Sequence, residues 1–415
     1  MMAAKRIKGS VLLLAAVASF IATLAGVSFL TFVSLLGGQV DREINDSQSL
    51  SRNRRSGDEV APQNVPHRES FADFLYLSNI ERDPLRHDIV RFLTPDTLDA
   101  RVHSNDTIWI ENAPNDRPRF MGRVTNTPYC ILPHGNHARF DEGFGYRLAI
   151  PFPESAQSIR DYSGYNWGTG GQDSLTQIAF SGNNIFYRKC GKIRINGVDM
   201  IHCDPSSLGS QYVPIPPSGA IFINGKVWIS ASRGRVDRMD GAYPESLFND
   251  GDFISQGFSG MLSIGSSETM IIVDDLIYQH AKADNSVPTT IDSCADILGL
   301  VSENYVMVGR HVRDTVYIDA GIAALRGAFS VQDIYWSLPP DWDNEKDALL
   351  VWGSIAQRCH GLIHTHLPNY HQRGFISKHY CSDVRFANNR PIYFPEVRLN
   401  RQNRMLYMLD QGDEG

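Results

Sequence analysis

Short apolar runs alternate with small polar turns most clearly between Gly219 and Gln357. Residues 220–230 read Ala-Ile-Phe-Ile-Asn-Gly-Lys-Val-Trp-Ile-Ser, and comparable runs follow at 261–264, 270–275, 298–308, 315–320 and 349–355. Each run is too short for a helix, rich in Val, Ile and aromatics, and bounded by Gly, Asn, Asp or Ser; that pattern predicts strands. Residues 101–110 (Arg-Val-His-Ser-Asn-Asp-Thr-Ile-Trp-Ile) echo 220–229, with Asn then Asp or Gly at the centre and Ile or Val, Trp, Ile after it. A strand–turn–strand unit used repeatedly predicts a mainly β chain built as a parallel β-helix or β-solenoid. An ordinary β-sandwich with chance similarity between strands is the competing reading.

The N-terminal pattern is different. Residues 11–36 form a run of 26 without a charge, long enough to cross a bilayer as a tilted helix. Lys5, Arg6 and Lys8 precede it, which places that end in the cytoplasm and exports the rest. The run exceeds the apolar core of a cleaved secretory signal and no small-x-small site closes it, so a retained inner-membrane anchor is expected. The expected plan is a leader and anchor at 1–38, a polar stalk at 39–69, and a first β region at 70–213. A solenoid core at 214–358 and a C-terminal cap and tail at 359–415 complete it. Pro214, Pro216 and Pro217 mark the junction of the two β regions, because proline cannot donate to a ladder.

Composition narrows the function classes. The 34 Gly and 21 Pro suit a turn-rich β protein. Net charge is −7, from 39 basic and 46 acidic residues, and the only basic cluster beyond the N-terminus is at 52–55, which argues against nucleic acid as a partner.

Six cysteines in an exported domain permit disulfides. Asn196-Gly197 is a type I′ hairpin signal, and Cys190 and Cys203 lie equally far from it. They fall at a non-hydrogen-bonded pair, where Cα atoms sit about 4.5 Å apart, so a Cys190–Cys203 bridge is predicted. Cys359–Cys381 is the next pairing considered; Cys130 and Cys294 are left unassigned.

Candidate chemistry is sparse. His360, His364, His366, His371 and His379 crowd one stretch with Cys359 and Cys381. Such residues can hold Zn²⁺ or Cu²⁺, but Pro368 and Gly374 point to solvated loop histidines, and no metal or other cofactor is expected. Asp274, Asp275, Asp319 and Asp333 could form the acidic face of a carbohydrate-active β-helix, or act as turn residues bonding local amides. Residues 163–171, rich in Gly and aromatics, could stack on sugars or form a plain surface loop. The phosphate-loop, dinucleotide, nucleophile-elbow and His-Glu-x-x-His patterns are all missing.

Two resemblances extend this reading. Basic residues, Gly9-Ser10 and an apolar helix resemble the leader of type IV pilins, in particular minor pilins of the PilX type and pseudopilins. The resemblance implies cleavage between Gly9 and Ser10, and it departs at Leu14, where major pilins carry Glu. Residues 70–78, 99–106, 221–229, 272–278, 297–302 and 352–357 resemble uncharacterised bacterial envelope proteins with a pilin-like start and a β-helical domain of unknown function. Departures are Ala100 in place of Gly and Leu77-Ser78 in place of Phe-Thr. The second family brings no established activity, and the expected role is that of a non-enzymatic, single-pass envelope protein in surface-structure assembly or adhesion. It would meet the bilayer through residues 11–36 and pilus or pseudopilus subunits through its exported domain. A membrane-tethered carbohydrate-active enzyme is the alternative.

Overall fold

The computed structural model describes residues 69–397, with breaks at 94–95, 112–116, 128–137, 169–174, 196–197, 204–210, 236–253, 311, 333, 335–344 and 366–372. The described chain is mainly β, gathered into one mixed sheet, with a single short α-helix at Gln157–Tyr162. The expected anchor at 11–36 lies outside the described residues; among those described, no helix is long and apolar enough to cross a membrane.

Parallel pairings fall into three ladders. The first joins Tyr165–Trp167, Ala220–Ile223, Met261–Ser266, Ile297–Ser302 and the second halves of Thr315–Ala324 and Glu345–Cys359. It continues through Tyr76–Ile80, Val102–Ser104, Val124–Asn126 and Phe144–Tyr146. One inward residue per strand stays in register throughout: Tyr165, Ile221, Ile264, Leu300, Ile322, Ile355, Tyr76, Val102, Val124 and Phe144. Strands about 4.8 Å apart bring such side chains into contact, and each buried aliphatic contributes about 1.5–3 kcal/mol.

The second ladder stacks Leu175–Gly182, Lys226–Ala231, Met270–Leu276, Val306–Val308 and Phe329–Val331. Its inner column is Ile178, Ile229, Ile272, Val308 and Val331. The third carries the column Leu276, Ile318, Val351, Tyr380, Leu98, Phe120 and Phe140. Arg373–Ser382 is therefore a ladder strand between Glu345–Cys359 and Thr97–Leu98, so strand structure continues past Gln357. Its polar Lys378 and His379 had masked the inward Phe375 and Tyr380.

Column order is not chain order. Ile355 is followed by Tyr76, so the N-terminal strands stack on the last long strand. After Phe144–Tyr146 the chain runs back along the sheet's outer side to Gly164, whose N–H donates to Ala220 O. Ile150, Phe152 and Ile159 on this return, with Phe386 and Phe394, cover Leu77, Phe222, Val301, Ala323 and Ala356. The outward positions of the first ladder that lie beneath these side chains are apolar for that reason. Phe71 N donates to Pro395 O and Val397 N to Glu69 O, closing the two ends of the described chain on each other.

The Val-His-Ser-Asn stretch at 102–105 has a defined task here. Asn105 Nδ2 donates to Ile150 O and Asn105 Oδ1 accepts from Ile150 N, both at 2.7 Å, which pins the return segment. His103 bridges Thr125 Oγ1 and Asn105 Oδ1, each 2.9 Å away. Burial, with the nearby positive Arg147, lowers its pKa to about 3. The unfolded imidazole protonates near pH 6.5, so this group's contribution to stability is complete above that pH and falls away as pH drops toward the folded value. Between pH 7 and pH 5 the loss should be about 2 kcal/mol. Urea unfolding at both pH values should show that much less acid sensitivity in His103→Gln than in the parent chain.

Candidate functional site

At the level where Glu345–Cys359 meets Tyr76–Ile80, the first ladder is closed by the Tyr76–Ile355 pairing and the third by Leu98–Tyr380. The second is not. Val331 N reaches Leu362 O on one side and Phe92 N reaches Trp109 O on the other. Among the described residues no pairing joins 361–363 to 89–92. Instead the chain detours after Ile80, through a loop held by Asp83, whose carboxylate accepts from Leu85 N and Arg86 N. The opening is a cavity of about 620 Å³. Its walls are largely apolar, including Phe92, Leu98, Phe329, Ile355, Ile363 and Tyr380.

One polar cluster borders this space. Glu81 is fully buried, accepts from Ser78 Oγ, and lies 2.6 Å through Oε2 from His360 Nδ1. The imidazole is packed by the rings of Tyr76 and Phe92, at 5.4 and 5.1 Å. Gln357 Oε1 accepts from Phe329 N and Gly361 N while its Nε2 donates to Tyr76 OH, fixing the corner. Burial pushes the Tyr76 phenol well above its ordinary range, so it stays protonated. At the other end of the cavity Lys378 Nζ sits 2.9 Å from Asp96 Oδ1. Glu81 holds His360 through Nδ1, and His360 is among the residues that line the cavity.

His360 is thus buried, not a solvated loop residue; Glu81, which holds it, is far away in sequence and carried no motif. His364 Nε2 instead meets Glu345 at 3.3 Å, and His366 and His371 lie outside the described residues. His379 is exposed beside Ser377. Among the described residues no group of three or more His, Cys, Asp or Glu is placed to hold a metal.

The acidic residues have other partners. Asp319 Oδ2 accepts from Tyr278 N, Asp275 Oδ1 from Tyr317 N, and Asp274 Oδ1 from Asp275 N. All three are buried, and Arg313 lies 3.3 Å from Asp274. Asp333 lies outside the described residues. Within 163–171, Tyr165–Trp167 is a ladder strand, with Trp167 stacked on Tyr187 at 4.1 Å. This part is not a free loop, because its rings finish the inner columns.

Cys190 stands directly opposite Cys203 in the antiparallel pair Asn184–Ile195/Val198–Cys203, as the hairpin count predicts. The turn at Asn196-Gly197, the Cys203 side chain and Cys130 lie outside the described part. Cys359 and Cys381 are free thiols, as is Cys294, which corrects the pairing considered for the first two. Cys381 sits beside Trp352, well upstream of Cys359 on the neighbouring strand, beyond the roughly 7 Å Cα limit of a disulfide. Gly9 and Ser10 are outside the described residues.

No family model, curated protein or solved structure matches this chain.

Proposed function

We propose that the three ladders are the faces of a parallel β-solenoid, and that this solenoid is the exported part of a single-pass, pilin-like envelope protein. Its role is structural: surface-structure assembly or adhesion, with the apolar segment 11–36 holding it in the inner membrane. The observation that carries this reading is the in-register column from Tyr165 to Phe144, ten strands deep. Repeated stacking makes a stiff body whose length grows by adding strands, and its loops are free to vary.

The acidic residues support the same reading against the carbohydrate-active alternative. Glycoside cleavage needs two carboxylates facing a substrate about 5–10 Å apart. Asp274, Asp275 and Asp319 are buried and engaged with backbone N–H groups. The hairpin facing Cys190 with Cys203 fits an oxidising compartment, where the bridge would clamp it.

The test is N-terminal sequencing of the membrane-extracted chain from cells with and without prepilin peptidase, with denaturing thiol labelling of the same material. The expected chain begins at Ser10 only when the peptidase is present, and Cys190 and Cys203 resist labelling. Recovery in the soluble cytoplasmic fraction with both thiols reactive would overturn the proposal.

A further inference from the structure

We propose that the Asp83–Pro84 peptide bond is a self-cleavage site, at which the Asp83 carboxyl attacks its own main-chain carbonyl carbon and water completes the cut. This does not depend on the envelope role above. Three features of the loop after Ile80 converge on it.

The reacting groups are held in place. Asp83 Oδ1 accepts from Leu85 N at 3.0 Å and from Arg86 N at 2.7 Å, so the carboxyl is turned along the peptide that follows its own residue. Its other oxygen reaches the Asp83 carbonyl carbon by closing a small ring, a short intramolecular path. The Asp83 carbonyl oxygen accepts from His87 N at 2.9 Å, and Asp83 N donates to Asp88 O at 2.9 Å. A donor on that carbonyl oxygen stabilises the charge that develops there on attack. The turn that supplies it holds His87 at φ 59°, in the left-handed region.

The bond itself is suited to breaking. Pro84 N carries no hydrogen, so it cannot attack the Asp83 carboxyl and divert it into a cyclic imide. As Oδ2 bonds to the carbonyl carbon, its proton passes to Pro84 N, the C–N bond breaks and a cyclic anhydride remains on Asp83. One water opens the anhydride, restores both carboxyls and leaves Pro84 as a new N-terminus. The protonated carboxyl is the reactive form.

The surroundings favour that form. Asp83 is 1 % exposed, while Leu85 to Asp88 are exposed and Pro84 is half-buried, so water reaches the bond. Burial raises the Asp83 pKa above its ordinary 3.8 in spite of the two amide donors; Asp88 adds to the rise and Arg86 opposes it. Tyr305 and Cys359 face the carboxyl from the elements packed against the loop, and Arg82 is turned to His87 O. More of Asp83 is therefore protonated in mild acid than in the unfolded chain, and cutting speeds up as pH falls. Tyr76–Ile80 stays paired with Glu345–Cys359 and Val102–Ser104, so the pieces part only on denaturation.

The test incubates the purified full-length chain in detergent with protease inhibitors, near neutral pH and at about pH 4.5, just above the ordinary carboxyl range, with and without urea. Denaturing electrophoresis and N-terminal sequencing follow the products. In acid a fragment beginning Pro84-Leu85-Arg86 should form about a hundredfold faster in the folded chain than in urea, the effect of one oriented donor on the carbonyl oxygen. In urea it should form no faster than the fragment from the second Asp–Pro bond, Asp204–Pro205. Asp83→Asn keeps the Oδ1 acceptor and Pro84→Ala keeps the carboxyl; each should suppress the Pro84 fragment with an unchanged far-ultraviolet spectrum. Absence of that fragment from the folded chain in acid would overturn the site. So would an equal rate in urea, or a fragment that persists undiminished in Asp83→Asn.

Discussion

Arg385→Met should cost the folded chain about 3–5 kcal/mol, the usual penalty for leaving a buried charge without its partner. Arg385 and Asp383 are both about 1 % exposed, and the guanidinium meets the carboxylate through Nε at 2.8 Å and through Nη2. Nη1 donates to Cys294 O, and the guanidinium lies 5.2 Å from the Tyr278 ring centre. Burial alone would lower the pKa of Arg385, yet Asp383 and Tyr278 more than reverse that, so it stays charged. Removing it strands Asp383 among apolar groups. Chemical unfolding of the single variants and of Arg385→Met/Asp383→Leu checks this. The double variant should recover at least half of the single-variant loss, since a matched apolar pair avoids the desolvation penalty. A double variant as unstable as Arg385→Met would mean that packing, not charge, is what matters there.

The second large effect is expected inside the first ladder. Ile322 is fully buried between Leu300 and Ile355. Ile322→Ala removes atoms that neighbours on both sides touch, and a strand fixed by pairing on each edge cannot collapse into the void. A loss of about 2–5 kcal/mol follows, whereas Ile322→Val should cost only about 0.5–1.5 kcal/mol. The same truncation at Ile376, half exposed on the third ladder, should shift stability by less than about 0.5 kcal/mol. Equal effects at the two positions, read from unfolding midpoints, would argue against the column as the source of stability.

Much of this was visible in the chain itself. The runs after Gly219 become strands at the expected places, because alternating Val, Ile and aromatic residues between turn formers leave few other solutions. Cys190 faces Cys203 because a hairpin's register follows from its turn. What stayed hidden depended on distant partners. Nothing near Tyr76 says that it will stack on Ile355, and nothing near His360 says that Glu81 will bury it. The sequence carries no signal that Ile150, Phe152 and Ile159, with Phe386 and Phe394, will pack over the outer side of the first ladder. Arg373–Ser382 hid its strand character because Phe375 and Tyr380 are its only buried large apolar side chains, while Lys378 takes the register position next to inward Leu349.

The Tyr76–Ile355 junction also bears on how the protein is made. Synthesis delivers the strands from Tyr76 to Tyr146 first, but the neighbour on which Tyr76–Ile80 rests is Glu345–Cys359, among the last to emerge. Until then the early strands present an open edge, the kind of surface that invites aggregation. Contacts this remote in sequence also make folding slow. A chain cut short before residue 345 would keep the pairing among its early strands but leave the edge of Tyr76–Ile80 that meets Glu345–Cys359 uncovered.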